Sequence, residues 1–435
     1  MNPSGRRIPI AFAVLPANTL SPKPDPLFVL AGGPGQSADA VAPLAGMLGG
    51  VRRDRDIVLV DPRGTGKSAP LQCAALTPRD LFDELTDTDI AGAAGRCLVE
   101  LKARANVDVA QYTTPAFVAD LDAVRDALGY ERINLWGGSY GTRVAQEYMR
   151  RHPRRVRSAV FDGVAPPDLR ISLDVWPVRE AALANVIAAC AEDAACKRAY
   201  PDLNATLAAI RKELAIGPYI SVIDPRTGAP RAVTMRFDIV VGALHALVYS
   251  PDFASLIPPL IARAEAGDFA PLAAAALLVT DSASRSMNMA LHYAVICAED
   301  APRINAADAR QMLTALRAPA LAERNLAACD GWPRPVLPTD FHAPLNSDTP
   351  VLILSGGLDP VTPPANGKRV AETLPNSRHV IAAGYGHIVS PHACAPRLIE
   401  KFIDEAGFGT LPQPCLDYFA TSVRPPLFAS LLQPQ

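Results

Sequence analysis

The sequence lacks any hydrophobic run long enough to cross a bilayer. One of its most apolar stretches, residues 271–279, falls well short of the roughly 18 to 20 residues that a membrane-spanning helix needs. It also lacks a strong charge of one sign, since 42 basic residues stand against 44 acidic ones for a net charge of −2. These absences argue against a membrane span, and against nucleic acid or an anionic membrane surface as the main partner.

The eight cysteines include no C-x-x-C pair, which argues against a zinc site or a thioredoxin-type site. The alternatives are eight reduced, mostly buried thiols in a cytoplasmic protein, or disulfides. No signal peptide is visible, because Pro9 breaks the apolar run of residues 8–15 early. We therefore expect a cytoplasmic protein or an exported one whose leader is absent from this sequence. The order of the cysteines suggests four local pairs: Cys73 with Cys97, Cys190 with Cys196, Cys297 with Cys329, and Cys394 with Cys415.

Short apolar runs alternate with helical patterns in the first part of the chain. The runs end before the turn-forming segments AGGPG, DPRGTG and GGSYG, and two further runs occupy residues 351–354 and 379–382. Strands that alternate with helices predict an α/β fold whose mostly parallel sheet has helices on both faces. With 435 residues, 49% of them apolar, the chain can bury a core of that kind.

The middle of the chain differs from its two ends. Residues 166–346 show helical apolar spacing and few strand-like runs. We predict that residues 1–165 and 347–435 form the two parts of a sheet domain and that residues 166–346 form a helical cap. A cap over the carboxyl ends of the strands would wall a crevice at the usual ligand position of open α/β sheets.

The segment WGGSYG at residues 136–141 carries the clearest chemistry. It follows a predicted strand and precedes a helical run, which is the context of a nucleophile elbow. A sharp strand-to-helix turn exposes the serine hydroxyl, and the flanking glycines remove side chains that would clash there. The pattern predicts Ser139 as a nucleophile.

A serine hydroxyl needs a general base that a carboxylate orients. In hydrolases built on such a sheet, the order along the chain is serine, acid, histidine. Asp359 follows the strand predicted at residues 351–354, and His387 lies in the loop after the next strand, so both fit this order. His392 is the serious rival for the base, although its surroundings suggest the approach to a helix. Thr362 either helps to hold the acid loop or serves only in a turn.

Two glycine-containing loops near the early strands need separate interpretations. In AGGPG, residues 31–35, the N–H of Gly33 and that of Tyr140 are candidates for an oxyanion hole; the alternative is a tight turn without a ligand. The segment GTGKS is not a phosphate loop, because Asp61 stands where the Walker pattern requires glycine. We expect Asp61 and Arg63 to tie loops together beneath the crevice.

Taken together, the motifs resemble the α/β-hydrolases of the prolyl aminopeptidase and tripeptidyl aminopeptidase type. The segments that carry the resemblance are AGGPGQSA, RDIVLVDPRGTGKS, GGSYGTR, CAEDAACKRAYPDL, CAED and GGLDPVTPP. The resemblance implies the α/β-hydrolase fold with an inserted cap and the triad of Ser139, Asp359 and His387. The tripeptidyl branch is typically exported and disulfide-bonded, which favours a periplasmic or secreted protein. Ala31 stands where prolyl aminopeptidases commonly carry histidine, and the missing strand before Asn2 suggests an incomplete N-terminus.

An aminopeptidase must also bind the free ammonium of its substrate, normally through carboxylates. Glu299 and Asp300, in the CAED segment, are the candidates; the alternative is a solvated or N-capping acidic pair.

We therefore expect a cofactor-free serine hydrolase that cleaves short peptides from the N-terminus through an acyl-enzyme. A carboxylesterase acting on small esters is the second hypothesis, because the same machinery cleaves both bonds and fold alone does not define the substrate. A catalytically silent binding protein is the third.

Overall fold

The computed structural model describes residues 7–77, 89–104, 106–224 and 227–428. The strands are β1 (Phe12–Leu15), β2 (Leu27–Leu30), β3 (Ile57–Val60), β4 (Ile133–Gly138), β5 (Val156–Asp162), β6 (Tyr219–Ile223), β7 (Pro230–Thr234), β8 (Val351–Gly356) and β9 (Ser377–Ala382). The helices before β8 are α1 (Ala42–Met47), α2 (Gly49–Arg52), α3 (Ile90–Lys102), α4 (Thr114–Ala127), α5 (Tyr140–Arg151), α6 (Ile171–Glu192), α7 (Ala194–Ala199), α8 (Leu203–Glu213), α9 (Phe237–Leu247), α10 (Pro251–Ala254), α11 (Ile257–Glu265), α12 (Ala270–Ser286), α13 (Met289–Glu299), α14 (Ala306–Thr314) and α15 (Pro319–Ala327). Those after it are α16 (Pro364–Ala371), α17 (Ala395–Glu405) and α18 (Gln413–Thr421).

Seven strands form one sheet in the order β1-β3-β2-β4-β5-β8-β9. Only β1 runs antiparallel to its neighbour, so the α/β fold with a mostly parallel sheet is confirmed. The register places Gly138 opposite Asp162, and Asp162 opposite Leu354. The loops that follow β4, β5, β8 and β9 therefore leave the sheet at the same edge.

The sheet is buried on both faces because its strands place alternate residues on opposite sides. In β2, Phe28 and Leu30 belong to a cluster that includes side chains of α4 and α5. Leu27 and Val29 belong to a second cluster that includes side chains of α1, α2, α17 and α18. Strands β2 and β3 are therefore apolar on both faces rather than half polar.

Between β5 and β8 lie the helices α6 to α15 and one antiparallel hairpin, β6–β7. Much of this region has its own hydrophobic cluster, formed by α6, α8, α9, α11 and α12. In contrast, α13 packs into the same cluster as the sheet, through residues such as Leu291 and Tyr293. The division at residues 166 and 346 stays a prediction; the packing joins the end of the insertion to the sheet domain. The hairpin is a feature that the sequence pattern did not indicate.

The four predicted disulfides are confirmed. Their bonds join Cys73 to Cys97, Cys190 to Cys196, Cys297 to Cys329, and Cys394 to Cys415. Three of them close loops of 21 to 32 residues, and the second closes a loop of six. No helix in the described part of the chain is both long enough and apolar enough to cross a membrane.

The loop after β3 confirms the structural interpretation of its charged residues. The carboxylate of Asp61 accepts hydrogen bonds from the backbone N–H groups of Ala38 (2.8 Å) and Lys67 (2.9 Å). Arg63 forms two bonds of 2.7 Å to the carboxylate of Asp120. Asp61 thus ties two loops together, as expected, whereas Arg63 ties its loop to helix α4.

Candidate active site

Ser139 occupies a strained turn between β4 and α5. Its backbone has φ 55° and ψ −124°, a conformation that non-glycine residues rarely adopt. The N–H of Ser139 donates to the carbonyl of Asp162 at 2.8 Å. A Cβ on Gly137 would lie 2.4 Å from the carbonyl oxygen of Gly141, so this turn closes only with glycine there. The chain thus holds Ser139 where α5 begins, as the elbow pattern predicts.

Asp359 and His387 are hydrogen-bonded to one another. Oδ2 of Asp359 lies 2.8 Å from Nδ1 of His387. The same oxygen accepts the hydroxyl of Thr362 at 2.8 Å, and Oδ1 accepts the N–H groups of Val361 and Thr362 at 2.8 Å each. The acid is buried and fully used by its own loop and by the imidazole, so its position is well defined. Thr362 does help to hold the acid loop.

Asp359 and His387 shift each other's pKa in the direction that favours the ionised form of each side chain. Burial acts to raise the pKa of Asp359, but the His387 imidazolium and the loop hydrogen bonds outweigh it and lower that pKa. Burial acts to lower the pKa of His387, but the Asp359 carboxylate and its hydrogen bond raise that pKa above its usual value. Asp359 is thus suited to orient the ring and stabilise its protonated form.

Gly163 places the Ser139 turn beside His387. It directly follows Asp162, whose carbonyl holds the Ser139 N–H. A Cβ on Gly163 would lie 3.1 Å from Cε1 of His387, and its φ of 64° also favours glycine. The predicted serine and histidine therefore border the same short segment, and a direct Ser139–His387 hydrogen bond stays a prediction. The side chain of Asp359 forms a hydrogen bond with the ring of His387. For the rival His392, the contact is a hydrogen bond from its backbone N–H to the carbonyl of Val389.

Asp162, at the end of β5, is a residue of the site that sequence reasoning missed. Its carboxylate accepts the backbone N–H of Val389 (2.9 Å), the N–H of Ser390 (2.7 Å) and the hydroxyl of Ser390 (2.5 Å). Nε1 of Trp136, in β4, donates to that hydroxyl at 2.9 Å. Burial raises the pKa of Asp162 although these donors act against the shift. Asp162 therefore anchors the His387 loop through its side chain. The one feature of the sequence that could have indicated this role was an acidic residue at the end of an apolar run.

The loop of the predicted oxyanion hole lies against the nucleophile. Gly33 has φ 106° and Gly35 has φ 113°, and a Cβ on Gly35 would lie 2.6 Å from the carbonyl oxygen of Asn288. A Cβ on Gly32 would lie 3.2 Å from Cβ of Ser139. Glycine is therefore required for the close approach of this turn to Ser139.

Tyr140, the other predicted donor, is the first residue of α5. Backbone N–H groups in the first turn of a helix have no intrahelical acceptor, and negative charge is stabilised there. The side chain of Tyr140 points into the protein, where its hydroxyl lies 2.5 Å from Oγ1 of Thr114. Only its backbone is thus a candidate for the reaction. The assignment of Gly33 and Tyr140 as oxyanion donors remains a prediction.

The predicted ammonium site at Glu299 and Asp300 does not fit the structure. Both side chains are fully buried, and burial raises the pKa of Glu299 to about 7. The Glu299 carboxylate accepts the N–H of Thr114 at 2.6 Å and its hydroxyl at 2.9 Å. The Asp300 carboxylate accepts hydrogen bonds from Nη1 of Arg143 and from the backbone N–H of Ile171, both at 3.0 Å. These internal partners leave the pair no place for a substrate ammonium. Their role is instead structural, because Glu299 binds the start of α4 and Asp300 joins α5 to the start of α6.

Residues of the insertion cover His387. The ring of Tyr249 packs edge-on against the imidazole, with the ring centres 5.9 Å apart, and its carbonyl accepts the N–H of His387 at 3.4 Å. A cavity of about 620 Å³ lies beside this contact, lined among others by His387, Tyr385 and Asp252. The candidate site is therefore a crevice between sheet edge and insertion rather than an exposed surface.

Comparison with known proteins agrees with this geometry. Residues 25–206 match the family described as "alpha/beta hydrolase fold". With the parallel sheet and the serine turn at its edge, this match shows that the chain has the α/β-hydrolase fold. Residues 316–415 match the family described as "TAP-like protein". The resemblance inferred from the motifs is thereby confirmed.

Three curated relatives illustrate the similarity. The chain is 26% identical over 393 residues to the serine protease Hip1 of Mycobacterium tuberculosis, which covers 81% of this chain and 73% of that protein. It is 31% identical over 180 residues to the tripeptidyl aminopeptidase of Streptomyces coelicolor, covering 38% and 33% of the two chains. It is 32% identical over 150 residues to a probable proline iminopeptidase of the same organism, covering 33% and 34%.

Proposed function

We propose that this α/β-hydrolase is a serine peptidase that releases short peptides or single residues from the N-terminus of its substrate. The observation that carries the proposal is the 2.8 Å hydrogen bond between Asp359 and His387, beside the segment that also holds the strained turn of Ser139. The names of the relatives support peptide bonds as the substrate, since they include a serine protease and two aminopeptidases.

The geometry supports an acyl-enzyme mechanism. Ser139 Oγ attacks the carbonyl carbon of the scissile bond while Nε2 of His387 accepts its proton. The imidazolium, stabilised by Asp359, then donates that proton to the leaving amine. A water molecule, deprotonated by the same imidazole, hydrolyses the ester and regenerates Ser139. The N–H groups of Gly33 and Tyr140 stabilise the oxyanion in both steps, and each such donor is typically worth about 3 to 4 kcal/mol.

The substrate ammonium needs an acceptor other than Glu299 and Asp300. Two carboxylates line the cavities next to Tyr249: Asp252 in the one beside His387, and Asp39 in the one beside the glycine turn. We assign the ammonium to one of these two side chains. Asp39→Asn and Asp252→Asn, made separately, then distinguish them by which one raises KM for a peptide with a free N-terminus.

The disulfides support a compartment outside the cytoplasm. All eight cysteines are paired. Disulfides persist in the periplasm or outside the cell and are rare in the cytoplasm. We place the protein in the periplasm or among secreted proteins.

Cleavage of matched anilides tests the function. We expect hydrolysis of Ala-Ala-Pro-anilide or Pro-anilide, and a loss of at least tenfold in kcat/KM when the N-terminus is acetylated, because an ammonium contact is then lost. Ser139→Ala is the matched control and should abolish turnover. Equal rates for free and acetylated peptides would contradict N-terminal recognition. Hydrolysis of nitrophenyl butyrate without any peptide cleavage would identify an esterase instead.

A further inference from the structure

Arg179 of α6 is held in an unusual environment. Its guanidinium lies over the rings of Trp176 and Tyr249, 5.3 and 5.4 Å from their centres. Nη2 donates to the hydroxyl of Tyr249 at 2.6 Å. The two rings restrict the guanidinium to one orientation, so little conformational freedom remains to be lost when an acceptor binds it.

Among the described residues, Arg179 has no carboxylate within 4.0 Å, and its buried Nε has no hydrogen-bond partner. The buried arginines, in contrast, each form an ion pair: Arg55 with Asp25 at 2.9 Å, Arg125 with Asp122 at 2.7 Å, and Arg143 with Asp300 at 3.0 Å. Nε of Arg143 also has no partner, so the difference lies in the ion pair. A fixed cation whose N–H donors have no acceptor destabilises the folded protein unless water or a ligand accepts hydrogen bonds from it. This contrast points to an external acceptor.

A second polar side chain lines the same cavity. His245 of α9 is 5% exposed, and neither of its ring nitrogens makes a hydrogen bond to another described residue. Its Nε2 lies 3.4 Å from Glu180, but Arg317 forms an ion pair with that carboxylate. Arg317 balances the charge of Glu180. Asp39 also lines this cavity, but its carboxylate lies more than 4.0 Å from the nitrogens of Arg179, so Arg179 forms no ion pair there.

The cavity adjoins the catalytic residues. It measures about 840 Å³, and its lining includes Gln36 and Tyr249. Tyr249 packs against His387, as described above. A Cβ on Gly32 would lie 3.0 Å from Oε1 of Gln36 and 3.2 Å from Cβ of Ser139. A peptide whose scissile bond meets Ser139 therefore has room to extend toward Arg179.

We propose that Arg179 is a specificity-determining residue that binds a carboxylate of the peptide substrate in this cavity, an inference that rests on the proposed peptidase function. A guanidinium presents parallel N–H donors that match the two oxygens of a carboxylate, whereas a lysine would present a single point charge. The carboxylate belongs either to an acidic side chain of the released segment or to the free C-terminus of a short peptide. Both sources offer the same chemistry to Arg179.

Paired substrates distinguish the two sources. In one set, Glu or Gln replaces each alanine of Ala-Ala-Ala-anilide in turn; in the other, Ala-Ala-Ala-Ala carries a free or an amidated C-terminus. We expect wild-type kcat/KM to favour the carboxylate member of one pair by about tenfold or more, and Arg179→Gln to reduce that ratio to within twofold. Arg211→Gln is the matched control, because Arg211 also stacks on a ring, that of Phe237 at 4.4 Å, but does not line the cavity. It should retain the full ratio.

The ratio of kcat/KM for the carboxylate substrate to kcat/KM for its neutral partner distinguishes failure of the Arg179 inference from failure of the proposed peptidase function. Wild-type cleavage with no carboxylate preference, or a preference that survives Arg179→Gln, overturns the inference and leaves the peptidase intact. Absence of any peptide cleavage overturns the function. In that case calorimetry on Ser139→Ala with the same peptides still decides: tighter binding of the carboxylate peptide that Arg179→Gln removes supports the subsite, and equal binding overturns it.

Discussion

At the scale of single residues, the proposed reaction depends on how the charge of Asp359 affects the pKa of His387. Because the charge of Asp359 raises the pKa of His387 above its usual value of about 6.5, the imidazole stays protonated to a higher pH. A protonated imidazole cannot accept the proton of Ser139. The rate of acylation should therefore rise with pH through a pKa above that usual value.

Asp359→Asn tests this relationship. It removes the charge that raises the pKa of His387, so the acid limb of kcat/KM should move to lower pH. The remaining activity at the plateau should fall by about 10³- to 10⁴-fold, because the amide no longer stabilises the imidazolium or holds the reactive tautomer. Profiles of kcat/KM against pH measure both effects. Asp330→Asn, an exposed site, should change neither, and an acid limb unmoved in Asp359→Asn would contradict the assigned role.

The sequence was sufficient to predict the proposed catalytic residues, but not the proposed binding residue Arg179. Ser139 directly follows β4, and Asp359 and His387 lie in the loops after β8 and β9. The carboxyl ends of parallel strands meet at one edge of a sheet, so the strand pattern alone places all three there. Arg179 and His245 lie on helices of the insertion, and their importance depends on how those helices pack. Glu299 and Asp300 were assigned wrongly to substrate because a sequence does not reveal that Arg143 and Thr114 occupy both carboxylates.

At the scale of secondary-structure elements, β5 links the two catalytic loops. The carbonyl of Asp162 holds the turn of Ser139, and its carboxylate holds the loop of His387 through Val389 and Ser390. The end of one strand thereby sets the distance between the proposed nucleophile and base. A displacement of about 1 Å in such a geometry can reduce the rate by roughly a hundredfold.

Asp162→Asn should therefore reduce both stability and turnover. The amide turns a donor toward the N–H groups of Val389 and Ser390, and we expect a loss of about 2 to 3 kcal/mol in the free energy of unfolding with kcat at least tenfold lower. Ser390→Ala is the graded control; it removes one hydroxyl and should cost about 1 kcal/mol. Denaturant unfolding and steady-state kinetics measure the two effects. Wild-type kcat in Asp162→Asn would show that β5 does not position the loop.

The hairpin β6–β7 shows where sequence patterns fail. One buried residue, Val222 in β6, and one, Val233 in β7, face the protein, while their neighbours are largely exposed. Strand prediction relies on repeated alternation of apolar and polar residues along the chain. A strand with a single buried residue shows almost no such alternation. Strands β2, β3, β4 and β8 of the sheet, in contrast, are buried throughout, and their apolar runs were sufficient to predict them.

At the scale of the whole molecule, the disulfides constrain each region locally. No bridge is longer than 32 residues in sequence, so each of them closes one local loop. The bond Cys297–Cys329 ties α13, which packs on the sheet, to the end of the insertion. Because the entropy removed from the unfolded chain grows with loop length, this bond should stabilise the protein more than the six-residue bridge Cys190–Cys196.

Removal of these two bridges gives a quantitative prediction. By loop entropy alone, replacing both cysteines of Cys297–Cys329 by alanine should cost about 4 kcal/mol, against about 2 kcal/mol for Cys190–Cys196. Denaturant unfolding of the two double variants measures the difference. A thiol titration of denatured, unreduced wild type should find no reactive thiol. Eight reactive thiols would contradict the disulfides and the compartment proposed from them.

The central claim, that Ser139, His387 and Asp359 work as one unit, is tested most directly by labelling with a fluorophosphonate and mapping the modified peptide by mass spectrometry. We predict a single phosphonylated residue, Ser139, in the wild type, no labelling of Ser139→Ala, and labelling at least a hundredfold slower in His387→Asn. A modification at another serine, or equal rates in wild type and His387→Asn, would contradict the account.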